Sequence, residues 1–147
     1  TQLRFEIHWM YREHVKKWRE HFAEKGITGK IKMGVETFDD AFRREVFDKG
    51  MEGVTPQDVA KVADEVCLLF GVTGQTAQSM RYDIETGLRY FERICINIMM
   101  ENTSQIQPDP QVIKMFVDNF YEIYKDDPRV DILLENTDFG VGGKRDE

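Results

Sequence analysis

The chain has 147 residues, 41% hydrophobic and 32% charged, with a net charge of −7. That suits one domain of ordinary size, able to bury a core without disulfides or metal, and no apolar run is long enough to span a membrane as a helix. The acidic balance argues against a nucleic-acid footprint, which needs clustered Lys and Arg, and leaves room for a basic protein partner.

Residues 4–25 predict a helix. Ile7, Tyr11, Val15, Trp18 and Phe22 recur at helical spacing, and Gly26 reads as the stop. Residues 26–36 carry three glycines. Partial alternation of Ile27, Ile31, Met33 and Val35 admits a short strand, but the favoured reading is a loop that packs a few apolar side chains. Thr37 with Asp40 resembles a cap for a helix over 38–49, ended by Gly50 and Gly53.

The next start is the best marked. Thr55 caps, Pro56 suits the first helical position, and Asp58 favours the helix dipole. The predicted helix runs to Phe70, with Val59, Val62, Ala63, Val66, Leu69 and Phe70 as its apolar face. Gly71 stops it. Thr73 or Thr76 then starts a long helix to about Glu101, with Met80, Ile84, Leu88, Phe91, Cys95, Ile98 and Met99 as its stripe. Gly87 lies inside it at a cost of about 1 kcal/mol relative to Ala, and marks a bend or break. Residues 102–109 are a loop. Asp109 and Pro110 open a helix to about Tyr124, and Asp127 with Pro128 repeats the device for a short helix ending near Glu135. The tail FGVGGKRDE is glycine-rich and charged.

The expected fold is all-α: five to six helices in a bundle or a short tetratricopeptide-like helical-repeat superhelix. One helical domain would cover 1–136, with a flexible tail over 137–147. The chain starts at Thr1 rather than Met, which reads as a trimmed chain or a mature protein whose targeting segment has been removed.

No motif declares chemistry. His8, His14 and His21 share one predicted helix, but none pair at the four-residue spacing that suits a metal. Cys67 and Cys95 read as small buried hydrophobes in a reducing compartment, with a disulfide between them as the minor reading. Adjacent acids such as Asp39–Asp40 and Asp64–Glu65 point apart on a helix. GVTGQT and GVGGK both miss the phosphate-loop pattern. The sequence therefore predicts no catalytic, cofactor-binding or metal-ligating residue. An enzyme reading would need His14 or His21 beside a carboxylate in a concave site. The aromatics of the first helix exceed one inward stripe, so Phe5, Trp9, Tyr11 and Trp18 are read as partner-binding.

Several stretches carry a resemblance: WREHF closing the first helix, then FDDAFRREVF, then GVTPQDV leading into VADEVC, then AQSMRYDIE, with VIKMFVDNFYEIYKDD as a last helix. The first four, over about Trp18 to Ile84, resemble the nuclear-encoded helical subunit Va of mitochondrial cytochrome c oxidase, and VIKMFVDNFYEIYKDD would stand for that family's last helix. The pattern departs from that family in placing Thr55 before Pro56 and in a longer loop before Gln75. The resemblance implies a non-catalytic accessory subunit on the matrix side of an inner-membrane respiratory complex. It implies no cofactor of its own, and protein partners that hold the redox centres. The alternative is a cytoplasmic helical adaptor or regulator of microbial or phage origin, and the third reading is a small all-α enzyme.

Overall fold

The computed structural model describes residues 1–134, so the expected tail over 137–147 lies outside the described residues. Five strands form one sheet in the order β1-β2-β3-β4-β5, and every neighbouring pair is parallel. The strands are β1 Gln2–Ile7, β2 Thr28–Glu36, β3 Glu65–Phe70, β4 Arg93–Ile98 and β5 Val130–Leu133. The all-α expectation is therefore corrected to α/β. Parallel neighbours in sequential order require a crossover between each pair, and the helices supply it.

A 3-10 turn (Trp9–His14) and α1 (Val15–Glu24) lead from β1 to β2. The short α2 (Asp40–Phe42), a π-turn (Arg43–Phe47) and α3 (Pro56–Ala60) lead to β3. Helix α4 (Ala77–Tyr90) leads to β4. Helix α5 (Pro110–Phe116), a π-turn (Val117–Tyr121) and α6 (Glu122–Tyr124) lead to β5.

Several predicted starts are real while the elements behind them are shorter. Thr55 and Asp58 form a reciprocal capping box at α3, but that helix ends at Ala60 and EVCLLF is a strand. Thr76 caps α4, and Phe91 then turns extended so that RICINI forms β4. Asp109 caps α5. The expected last helix after Pro128 is β5. The expected loop over 26–36 is β2, whose Ile31, Met33 and Val35 are buried in alternation. The start of the expected first helix is β1. The cap expected of Thr37 belongs to Asp39, which accepts from the Phe42 N–H.

The core lies between one face of the sheet and the helices. Ile31, Met33 and Val35 of β2, Val66, Leu68 and Phe70 of β3, and Ile94, Ile96 and Ile98 of β4 pack with Val59, Met80, Ile84, Val112, Phe116 and Phe120. Gly87 sits where α4 crosses β4. A Cβ there would stand 2.6 Å from Ile94 Cγ2, so the glycine permits close approach and α4 runs through it to Tyr90 without a break.

Gly87→Ala is accordingly expected to destabilise the fold by about 1–3 kcal/mol, although helix propensity alone would favour it by about 1 kcal/mol. Urea unfolding of both proteins measures this; a stabilised variant would refute the packing role.

Candidate active site on the open face of the sheet

Successive residues of a strand point to opposite faces. In a parallel sheet both faces are usually covered and apolar. Here the face away from the helices is mostly polar: Arg4 and Glu6 on β1, Lys30, Lys32, Gly34 and Glu36 on β2, Glu65 and Cys67 on β3, Arg93, Cys95 and Asn97 on β4, and Asp131 on β5, with Leu69 and Leu133 as apolar members on either side of Asn97. Near the N-terminal ends of the strands its charges are already paired. Arg4 meets the buried Glu65, Lys30 reaches Glu92 at 2.9 Å, and Arg93 donates to both Asp131 carboxylate oxygens at 2.8 Å.

Toward the C-terminal ends the face has fewer internal partners. Gly34, Cys67, Cys95 and Asp131 are in register across four strands. A Cβ on Gly34 would meet only Lys49 Nζ at 3.6 Å and Glu36 Oε1 at 3.8 Å. A glycine inside a strand weakens it, and it commonly marks a place where another group approaches the backbone. Glu36, at the end of β2, has φ of 67° and sits at a register shift. For a side chain with a Cβ this conformation costs on the order of 1–3 kcal/mol and concentrates at functional sites. Burial raises the Glu36 pKa above the usual carboxylate value; Lys49 opposes the rise and the Glu6 charge adds to it.

The loops at this edge are stapled by buried polar groups. Asp83 of α4 accepts from Thr37 Oγ1 and from the Phe38 N–H, each at 2.8 Å. Burial pushes its pKa up to about 7 against those two bonds. Arg43, 2% exposed, donates to the carbonyls of Thr37, Met51 and Val54 at 2.8, 3.2 and 3.0 Å. After β3, Gln75 accepts from the N–H groups of Gly71 and Val72 and donates to the Leu69 carbonyl. Asp109 ties the loop after β4 to this turn by accepting from Thr73 Oγ1 at 2.7 Å. GVTGQT is thus a loop at the C-terminal edge of the sheet, with Gly71 and Gly74 at φ of 103° and 104°.

Ligands of open parallel sheets bind outside the C-terminal ends of the strands. Two recesses lie there. One of about 510 Å³ is lined by His8, Trp9, Met10, Arg12, Lys49 and Glu52, among others. The other, of about 730 Å³, is lined largely by apolar side chains, including Ile98, Met99, Pro108 and Ile113.

The residues predicted from sequence fall elsewhere for the most part. Phe5 and Trp18 line an apolar groove with Ile7 and Phe22 at the open edge of β1, where Phe5 stacks on Phe22. Trp9 lines the first recess, under the Arg12 guanidinium. Tyr11 is exposed. His14 stacks on Trp18, and His21 lies against Phe22, so neither helix histidine joins the polar face. His8 accepts from the Met10 N–H as a cap. Among the described residues no three His, Cys, Asp or Glu side chains gather to hold a metal. Sequence reasoning singled out none of Glu6, Lys32, Glu36, Lys49 and Asn97, the polar candidates of this face. The available signal was β2 itself, where Gly34 breaks an alternating run just before an acid.

No family model and no curated protein matches the chain. Among solved structures it is similar to a queuine lyase from Clostridium spiroforme bound to SAM and queuine, at 33% identity with a TM-score of 0.84. The match covers 97% of this chain and 60% of that one, so the chain spans about three fifths of the length of the protein it matches. This likeness to a lyase, with the parallel sheet, overturns the resemblance to cytochrome c oxidase subunit Va. It overturns the non-catalytic accessory-subunit reading as well.

The electrostatics of Glu36 are directly measurable. Carbon-detected NMR titration should place its carboxyl above the ordinary value of 4.5. Glu6→Gln should bring it down and Lys49→Ala should push it up, because the first removes a like charge and the second an opposite one. No response to either substitution would remove both neighbours from the site.

Proposed function

We propose that this chain builds the SAM-binding and substrate-facing part of a lyase that acts on a modified guanine base of the queuine kind. The observation that supports it most is the open polar face, whose strained Glu36 stands at the C-terminal edge of a parallel sheet. The likeness to a lyase bound to SAM and queuine supports the choice of ligands.

The residues at this edge fit SAM. A carboxylate at the end of a parallel strand suits the two hydroxyls of a ribose, as in nucleotide-binding α/β folds, and Glu36 has that place. Lys49 and Arg12, both on the first recess, supply positive charge for an amino-acid carboxylate. The apolar recess beside Ile98 and Met99 suits a flat base. When bound, SAM supplies a sulfonium with labile carbon–sulfur bonds.

The chain's own residues then orient and screen. Asp83 and Arg43 hold the segment after β2, and with it the Glu36 backbone, in one arrangement before a ligand arrives. Glu6, Lys32 and Asn97 lie on the open face and offer an acceptor, a cation and an amide to a purine-like edge.

A second role is favoured by the apolar groove at β1. Among the described residues that strand has a hydrogen-bonded neighbour on one side only, and Phe5, Ile7, Trp18 and Phe22 border its open side. A protein segment that adds a strand there would cover both features.

Calorimetric titration of the chain with SAM tests the main reading. Binding is expected, and Glu36→Gln should weaken it by about 10- to 100-fold, the value of a hydrogen bond to a charged group. Absence of SAM binding, or unchanged affinity in the variant, would sink it.

A further inference from the structure

Cys67 and Cys95 are unused by the reading above, and both are free thiols. They are partners in register on adjacent parallel strands. Neighbouring strands lie about 4.7–4.9 Å apart, inside the Cα window of about 4.4–6.8 Å that a disulfide spans. The alternation of β3 and β4 turns Val66, Leu68, Ile94 and Ile96 toward the helices, and both thiols the other way. Neither cysteine belongs to the apolar core cluster. Instead each Sγ meets a polar acceptor of the open face: Glu6 Oε2 at 3.8 Å from Cys67 and Asn97 Oδ1 at 3.7 Å from Cys95. Both are buried, as the sequence predicts, but under the polar groups of the open face rather than within the apolar cluster.

We propose that Cys67 and Cys95 are a reversible dithiol–disulfide pair in the floor of the polar face, closed by a low-molecular-weight disulfide such as oxidised glutathione. The two thiols are not equivalent. The interaction between the two thiols lowers the pKa of Cys95 and raises that of Cys67; burial raises both, and the Lys32 charge opposes that rise. Cys95 is therefore the attacking thiolate. It attacks one sulfur of oxidised glutathione, forms a mixed disulfide and releases one glutathione thiolate. Cys67 gives up its proton, attacks the Cys95 sulfur and releases the second glutathione. The two protein thiols lose two electrons and two protons in all, and these reduce the glutathione disulfide to two thiols. Closure withdraws both S–H donors, so Glu6 and Asn97 lose those partners and the floor is bridged from β3 to β4.

The test needs neither SAM nor queuine, so its outcome is separate from that of the functional reading. The full chain is equilibrated in glutathione buffers of graded oxidation, alkylated, and analysed by intact-mass and peptide mass spectrometry, with circular dichroism to follow folding. Both thiols should disappear together, without retained glutathione and within one molecule, and dithiothreitol should restore them. Cys67→Ser should accumulate glutathione on Cys95, and Cys95→Ser should react at least about tenfold more slowly than Cys67→Ser. Retention of glutathione on the unsubstituted protein, two persistent thiols, bridges between molecules, or closure only after unfolding in urea would each overturn the proposal.

Discussion

Strict alternation along parallel strands is the constraint from which the rest of this structure follows. One face must bury enough apolar surface to hold the fold, because each parallel strand is tied to its neighbours through a helix that needs a surface to lie on. Ile31, Met33, Val35, Val66, Leu68, Phe70, Ile94, Ile96 and Ile98 meet that requirement from three central strands. The residues between them are released from it. They can then be Lys32, Glu36 and Asn97, which would be poor core residues, beside the small Cys67 and Cys95. Each β-strand so serves stability with one half of its sequence and the site with the other. A one-residue slip in register would exchange the two sets, so the same packing that stabilises the sheet also aims the polar groups.

The polar face is built in two zones. Toward the N-terminal ends of the strands, charges neutralise one another across strands: Arg4 with Glu65, and Arg93 with Asp131. Glu65 is buried, and an unpaired charge there would be strongly unfavourable. That zone is closed to ligands by its own pairing. Toward the C-terminal ends the row becomes small, with Gly34, Cys67 and Cys95 side by side. The charged groups around it, Glu6, Lys32, Glu36 and Lys49, form no ion pair among the described residues. The contrast divides the open face into a zone paired within itself and a zone whose charges lack such partners.

Much of the local grammar was legible in the sequence. Thr55 with Asp58, Thr76, and Asp109 with Pro110 start helices where expected. The strands were lost because EVCLLF, RICINI and VDIL are short apolar runs that follow real helices, or devices that imitate a helix start. Periodicity alone cannot divide such a run from a continuing helix. Val59, Val62, Val66, Leu69 and Phe70 satisfy a helical stripe on paper, yet Ala60 ends α3 and Asp64 precedes a strand. The recurrence of a helix start followed by an apolar run with β-branched residues is itself the signature of a βα repeat. Only β2, with its visible alternation, invited that reading. The site was harder still, since Glu6, Glu36 and Asn97 are far apart in sequence and converge only once the strands are ordered.

The strain at Glu36 connects these points. A non-glycine residue at φ of 67° is stable only if the structure on both sides leaves it no alternative. On one side Val35 is fully buried in the core, which fixes the strand up to its last step. On the other, Thr37 and Phe38 are bound to the Asp83 carboxylate, and the Thr37 carbonyl is bound to Arg43. Three hydrogen bonds to charged groups in the space of two residues outweigh a backbone cost of on the order of 1–3 kcal/mol. A glycine at this position would relax the backbone but would remove the carboxylate. The buried Asp83 and Arg43, both unfavourable to bury alone, are therefore best understood as the means by which a carboxylate is held over the open face at the end of β2.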